Sequence, residues 1–162
     1  MGENSFWVFS LRFYGDPAVQ EACLSLQDRY GGDVNLALYL IYRAAAGDVL
    51  SEDAVRALNQ DTAGWRDAAV RPLRAIRRAL KTEQLLADGT AQEALRGKIK
   101  AIELEAEKLQ QLQLEAHPPG ALRQAHPLEA ARANLDSYGR VLGHALPGEL
   151  VAIFTGRLAA LS

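Results

Sequence analysis

Val34–Ala46 is the segment that most restricts what this chain can fold into. It is about 13 residues long, apolar on every side, and interrupted by Asn35 and Arg43. A helix without a polar stripe has to be surrounded by other elements. The segment is also shorter than the roughly 20 apolar residues that a membrane span needs. It is therefore expected as the central helix of a bundle. Gly31-Gly32-Asp33 stops the helix before it and caps this one, and Gly47 ends it.

The same punctuation recurs along the chain. Ser5–Tyr14 carries Phe6, Phe9 and Phe13 on one face and Trp7, Leu11 and Tyr14 on a second stripe, so it is expected to be buried on most sides. Gly15-Asp16-Pro17 supplies a stop, an N-cap and a first-turn proline. The helix that follows, Pro17–Tyr30, is expected to turn Val19, Cys23, Leu24 and Leu26 inward. Ser51 predicts a short helix to about Asn59. Thr62 predicts the cap of another, reaching about Leu85 and bent near Ala69–Arg71 by Pro72. Thr90 predicts the cap of a long helix to Ala116. Its Leu95, Ile99, Ile102, Ala106 and Leu109 are spaced as a packing seam, within the bundle or against a partner, a second copy included. Pro118, Pro119, Gly120 and Pro127 mark 117–127 as a linker. Leu128 to Leu142 and Leu150 to Leu158 give two further amphipathic helices. No strand pattern or hairpin signal is evident.

The expected fold is all-α, a single-domain helical bundle of about 7–8 helices over residues 1–162. A compact N-terminal core falls within 5–87, and 88–162 forms a helical extension with the Pro/Gly linker inside it.

Composition excludes several function classes. The chain has 162 residues, 49% hydrophobic and 23% charged, with a net charge of −2. One cysteine leaves neither a disulfide framework nor a cysteine zinc site. The start, MGENSFWVFS, has no secretory pattern, so a soluble cytoplasmic protein is expected. His117, His126 and His144 have no metal-ligand spacing, and Cys23 reads as a buried inert thiol. No nucleophile elbow or phosphate loop is present. No catalytic residue, metal or cofactor is assigned, and whether the chain is an enzyme stays open, with the balance toward a binding role.

Two polar clusters stand out. The first is the turn that holds Gln27, Asp28, Asp33 and Asn35. These could converge on a polar ligand, or they could cap helices and pin the loop. The second is the helix after Trp65-Arg66-Asp67. From Arg66 to Lys81 there are six basic residues and one acidic, while the rest of the chain has 12 basic and 19 acidic. Arg71, Arg74, Arg78 and Lys81 share one face, suited to an anion or an acidic surface. The alternative is that this face pairs with Glu103, Glu105 and Glu107 of the long helix.

At these clusters the sequence resembles a family of uncharacterised proteobacterial proteins, domain of unknown function 2390. The resemblance rests on Phe6-Trp7-x-Phe9-Ser10-Leu11, Ala22-Cys23-Leu24-x-Leu26-Gln27-Asp28, Gly32-Asp33-Val34-Asn35-Leu36 and Trp65-Arg66-Asp67-x-x-Val70-x-Pro72-Leu73-Arg74, over roughly residues 5–85. It implies a bacterial cytosolic protein and carries no activity, cofactor or catalytic residue with it.

Three functional expectations follow. The first is a non-enzymatic interaction protein whose basic face meets an acidic protein partner, with a homodimer through Leu95, Ile99, Ile102 and Leu109. The second is a small-ligand-binding protein or enzyme with a pocket between 27–35 and Trp65, Arg66 and Asp67. The third and weakest is RNA binding, which an isoelectric point near 5.9 does not favour. No membrane partner is expected.

Overall fold

The computed structural model describes residues 5–162. The elements are α1 (Ser5–Phe13), α2 (Pro17–Tyr30), α3 (Val34–Ala45), β1 (Asp48–Val49), α4 (Glu52–Trp65), a π-helical turn (Arg66–Val70), α5 (Arg71–Thr82), α6 (Gly89–Ala116), β2 (Arg123–Gln124), α7 (Pro127–Leu142) and α8 (Gly148–Leu161). The fold is all-α apart from the two-residue pairing of β1 with β2.

Helix α3 is the centre, with nine of its 12 residues buried. The turn before it is shaped by its glycines. Gly31 ends α2 in the left-handed region, at φ 65°. At Gly32 a Cβ would stand 2.5 Å from Leu26 Cδ1, so the turn can press onto the core only without a side chain. Asp33 then caps α3, accepting from the Asn35 and Leu36 amides.

The helices beyond the linker are part of the same core. Leu135 and Tyr138 of α7 and Phe154 and Leu158 of α8 are buried together with Leu36, Leu40 and Phe13. The linker is tied down as well. The Leu122 amide donates to Val49 O at 2.8 Å, the Ala125 amide to Gly47 O at 2.9 Å, and Arg43 Nη2 to Pro119 O at 2.8 Å. Asn134, fully buried in α7, holds the other side of β1. Its Oδ1 accepts from the Leu50 amide at 2.8 Å, and its Nδ2 donates to Leu40 O at 3.1 Å and Asp48 O at 3.0 Å. Asn134→Leu would strand one buried donor and two acceptors. It is expected to lower stability in urea unfolding by on the order of 3 kcal/mol.

Several sequence expectations are corrected. Thr62 caps nothing: it lies inside α4, where its hydroxyl donates to Leu58 O at 3.0 Å. Asp88, not Thr90, caps α6, accepting from the Ala91 amide at 3.0 Å. Where a bend is expected before Pro72 stands the π turn, closed by the Arg71 amide on Arg66 O; proline has no N–H to continue a regular ladder, and a wide turn absorbs the loss. Helix α1 is buried along one face only, with Leu11 and, just past its end, Tyr14 exposed, and Leu24 of α2 is exposed too. The inward side of α6 is largely polar: Gln92, Glu103, Gln110 and Gln111 are buried beside Ala106 and Leu114, while Leu95, Ile102 and Leu109 face out.

Candidate functional site

Asp33 is the hub of a buried polar network. Its Oδ1 caps α3, and its Oδ2 accepts from Arg66 Nη1 at 3.1 Å and from Gln110 Nε2 in a short bond. Its amide donates to Tyr138 Oη at 2.6 Å. Arg66 Nη1 also reaches Asn59 Oδ1 at 3.0 Å. The chain of contacts continues from Gln110 Oε1 to Asn35 Nδ2 at 3.2 Å, from Asn35 Oδ1 to Gln111 Nε2 at 3.0 Å, and from Gln111 to Ser10 Oγ at 3.1 Å. The turn, α1, α3, α4, the π turn, α6 and α7 are thus joined by paired groups. Burial and the charge of Asp33 push the Tyr138 phenol above its ordinary range. The network uses its polar groups to hold helices together; Arg66 Nε is its one buried donor without a hydrogen bond among the described residues, 3.6 Å from Asp67 Oδ1.

Beside it, a groove of about 380 Å³ opens between α1, α2, α5 and α6, with the first turns of α3 behind it. Trp7 and Leu11 of α1, Leu24 of α2, Val34 and Leu38 of α3 and Leu104 of α6 give it apolar walls. Arg74, Arg77 and Arg78 of α5 and Lys100 of α6 bring four cations, against the carboxylates of Glu103 and Glu107. Arg77 Nη2 holds Glu103 at 3.2 Å, and Arg74 reaches Glu103 at 3.4 Å and Glu107 at 3.1 Å. Burial raises the Glu107 carboxyl above its usual range, although Arg74 opposes this. Arg78 stands outermost, bonded to exposed Asp28 at 3.1 Å, and this contact holds the Asp28 carboxyl below its usual range. Lys100 is exposed and joins no ion pair among the described residues. Cys23 lies in the wall, and burial pushes its thiol up to about 12, so it stays protonated at neutral pH. The groove therefore offers apolar surface and surplus positive charge.

A family model described as "Protein of unknown function (DUF2390)" matches residues 5–114, more than half of the chain. The chain belongs to the DUF2390 family. The DUF2390 match runs from α1 almost to the end of α6 and so takes in every residue that lines the groove. Helices α7 and α8 lie beyond the DUF2390 match, although they complete the core. No curated protein and no solved structure matches the chain.

The DUF2390 residues singled out in the sequence fall into three places. Gln27, Asn35, Arg74 and Arg78 line the groove, so each of the two sequence clusters contributes to it. Asp33 and Arg66 are brought together as a buried ion pair and do not line it. Trp65 is away from it, its indole N–H donating to Ala106 O at 2.9 Å. Asp67 pairs with Arg71 at 2.7 Å on the surface, and Lys81 is exposed at the end of α5. A pocket between 27–35 and 65–67 is thus replaced by one between 27–35 and α5–α6. Arg77 and Lys100 are lining residues that the helical projection did not select. Lys100 carries no local signal, because only the packing of α6 against α5 brings it to the groove. Among the described residues no three His, Cys, Asp or Glu side chains are grouped to hold a metal ion. No helix among them is long and apolar enough to cross a membrane.

Proposed function

We propose that this chain binds a small amphipathic anion in the groove, within the bacterial cytoplasm that the sequence resemblance implies. The apolar part of the ligand lies against Trp7, Leu11, Leu24 and Leu104, and its carboxylate or phosphate is met by Arg78 and Lys100, with Arg77 behind them. The observation that carries this reading is the groove of about 380 Å³ whose apolar walls are joined by four cations and only two carboxylates. Such concavity with a few convergent charges suits a small ligand. Glu103 and Glu107 already engage Arg74 and Arg77, and Asp28 engages Arg78, so Lys100, which joins no ion pair among the described residues, selects the anion, with Arg78 beside it.

The test is calorimetric titration with decanoate and with phenyl phosphate. Binding of one of them to the wild type is expected. Lys100→Glu should weaken it about tenfold, a change of ~1.4 kcal/mol, and Leu104→Arg should block the groove. Failure of both probes to bind, or wild-type affinity in both variants, would refute the reading.

A docked acidic protein is the second reading, favoured by the exposure of Arg71 and Lys81 on α5. It predicts that Arg71→Glu/Lys81→Glu removes the partner while Leu104→Arg leaves it bound.

A further inference from the structure

Because α6 spends its inward side on the polar network, it carries an apolar line outside. Leu95, Ile102 and Leu109 are 50%, 50% and 52% exposed. Heptad spacing keeps the three on one line down the helix. The line is symmetric about Ile102, with Leu95 seven residues before it and Leu109 seven after. On one flank stand Lys98 and Glu105, both exposed, and neither side chain is bonded or ion-paired among the described residues.

We infer that a second copy of this chain covers this line, its α6 running antiparallel and the two-fold axis passing at Ile102. Charge selects that occupant and that direction. At a rise of 1.5 Å per residue, Lys98 lies ~6 Å to one side of Ile102 and Glu105 ~4.5 Å to the other. Reversing the second helix brings Lys98 of one copy within ~1.5 Å, in height along the axis, of Glu105 of the other. Equivalent flanks face each other in an antiparallel pair, and the two-fold makes the contact twice. Leu95 then meets Leu109 of the other copy, and Ile102 meets its own counterpart. A parallel pair would instead put the Lys98–Glu105 flanks of the two copies on opposite sides of the seam, and the two charges would not meet. The contact is separate from the groove, whose wall lies on other faces of α6 and includes Glu103, Leu104 and Glu107.

The test is sedimentation equilibrium on the full chain at sub-millimolar concentration. The wild type should dimerise. Lys98→Glu alone and Glu105→Lys alone should each weaken the dimer by at least about tenfold, since each sets like charges together twice. An equimolar mixture of the two variants should restore it, because the mixed pair again has opposite charges at both contacts. Ile102→Cys should give a disulfide-linked dimer on mild oxidation, with circular dichroism confirming the fold. A monomeric wild type, a dimer indifferent to both charge changes, or a mixture that fails to recover association would overturn the inference.

Discussion

A chain ended after Leu114, where the family match stops, is expected to have no cooperative tertiary structure. Such a chain keeps every groove residue and loses α7 and α8. The loss uncovers Leu36, Leu40 and Phe13, which share the core with Leu135, Tyr138, Leu150, Phe154 and Leu158. Burying a large apolar side chain contributes about 1.5–3 kcal/mol. Five such groups together reach ~10 kcal/mol, as much as the net stability of an ordinary domain, 5–15 kcal/mol. The truncated chain should retain partial helicity, lack a sigmoidal urea transition and show poorly dispersed amide resonances. A cooperative transition at the wild-type midpoint would mean that the N-terminal six helices form a core by themselves.

Removing the Asp33 carboxylate should cost about half as much. Asp33 and Arg66 have side-chain exposures of 5% and 13%. Asp33→Ala leaves the buried Arg66 guanidinium with only the largely exposed Asp67 carboxylate 3.6 Å away, which costs about 3–5 kcal/mol. It also removes the cap of α3, a further ~1 kcal/mol. Urea unfolding of Asp33→Ala, Arg66→Met and the double variant forms a cycle. The double variant should be less destabilised than the sum of the singles, because the second change removes the orphaned charge. Additive effects would show that the pair contributes through separate contacts instead.

The fold class and the inner helices were legible because local grammar and burial agree there. Asp16-Pro17 and Gly31-Gly32-Asp33 specify helix starts that packing has no reason to override, and an all-apolar α3 has only one place to go. Where the reading went astray, a local signal had a competing use. Thr62 can cap a helix or bond back to its own preceding turn, and the buried stripe Val55, Leu58 and Thr62 that runs through this position decides for the second. Trp7, Leu11, Leu24 and Leu104 look like core residues in a linear pattern, yet they line a groove. Hydrophobic spacing registers an apolar face without registering whether anything covers it. The seam expected along α6 divides, with Leu95, Ile102 and Leu109 facing out while Ala106 is buried and Ile99 half-buried. Gln110, Gln111 and Glu103 are drawn to the centre by Ser10, Asp33, Asn35, Arg74 and Arg77, partners 26 to 101 residues away that no local window contains.

The wide turn at Arg66–Val70 sets the phase of everything after it. A turn closed by bonds to the fifth preceding residue holds one residue more than an α-turn. Each residue of a regular helix advances the side chains by about 100°. Excising a single residue from this turn would leave the composition of α5 intact and rotate its whole length by that angle. The arginines that now clasp Glu103 and Glu107 would swing out of alignment with them. The orientation of α5 is therefore written in the length of one turn as much as in the identity of its arginines, and an insertion or deletion there would reach the groove without changing a residue that lines it.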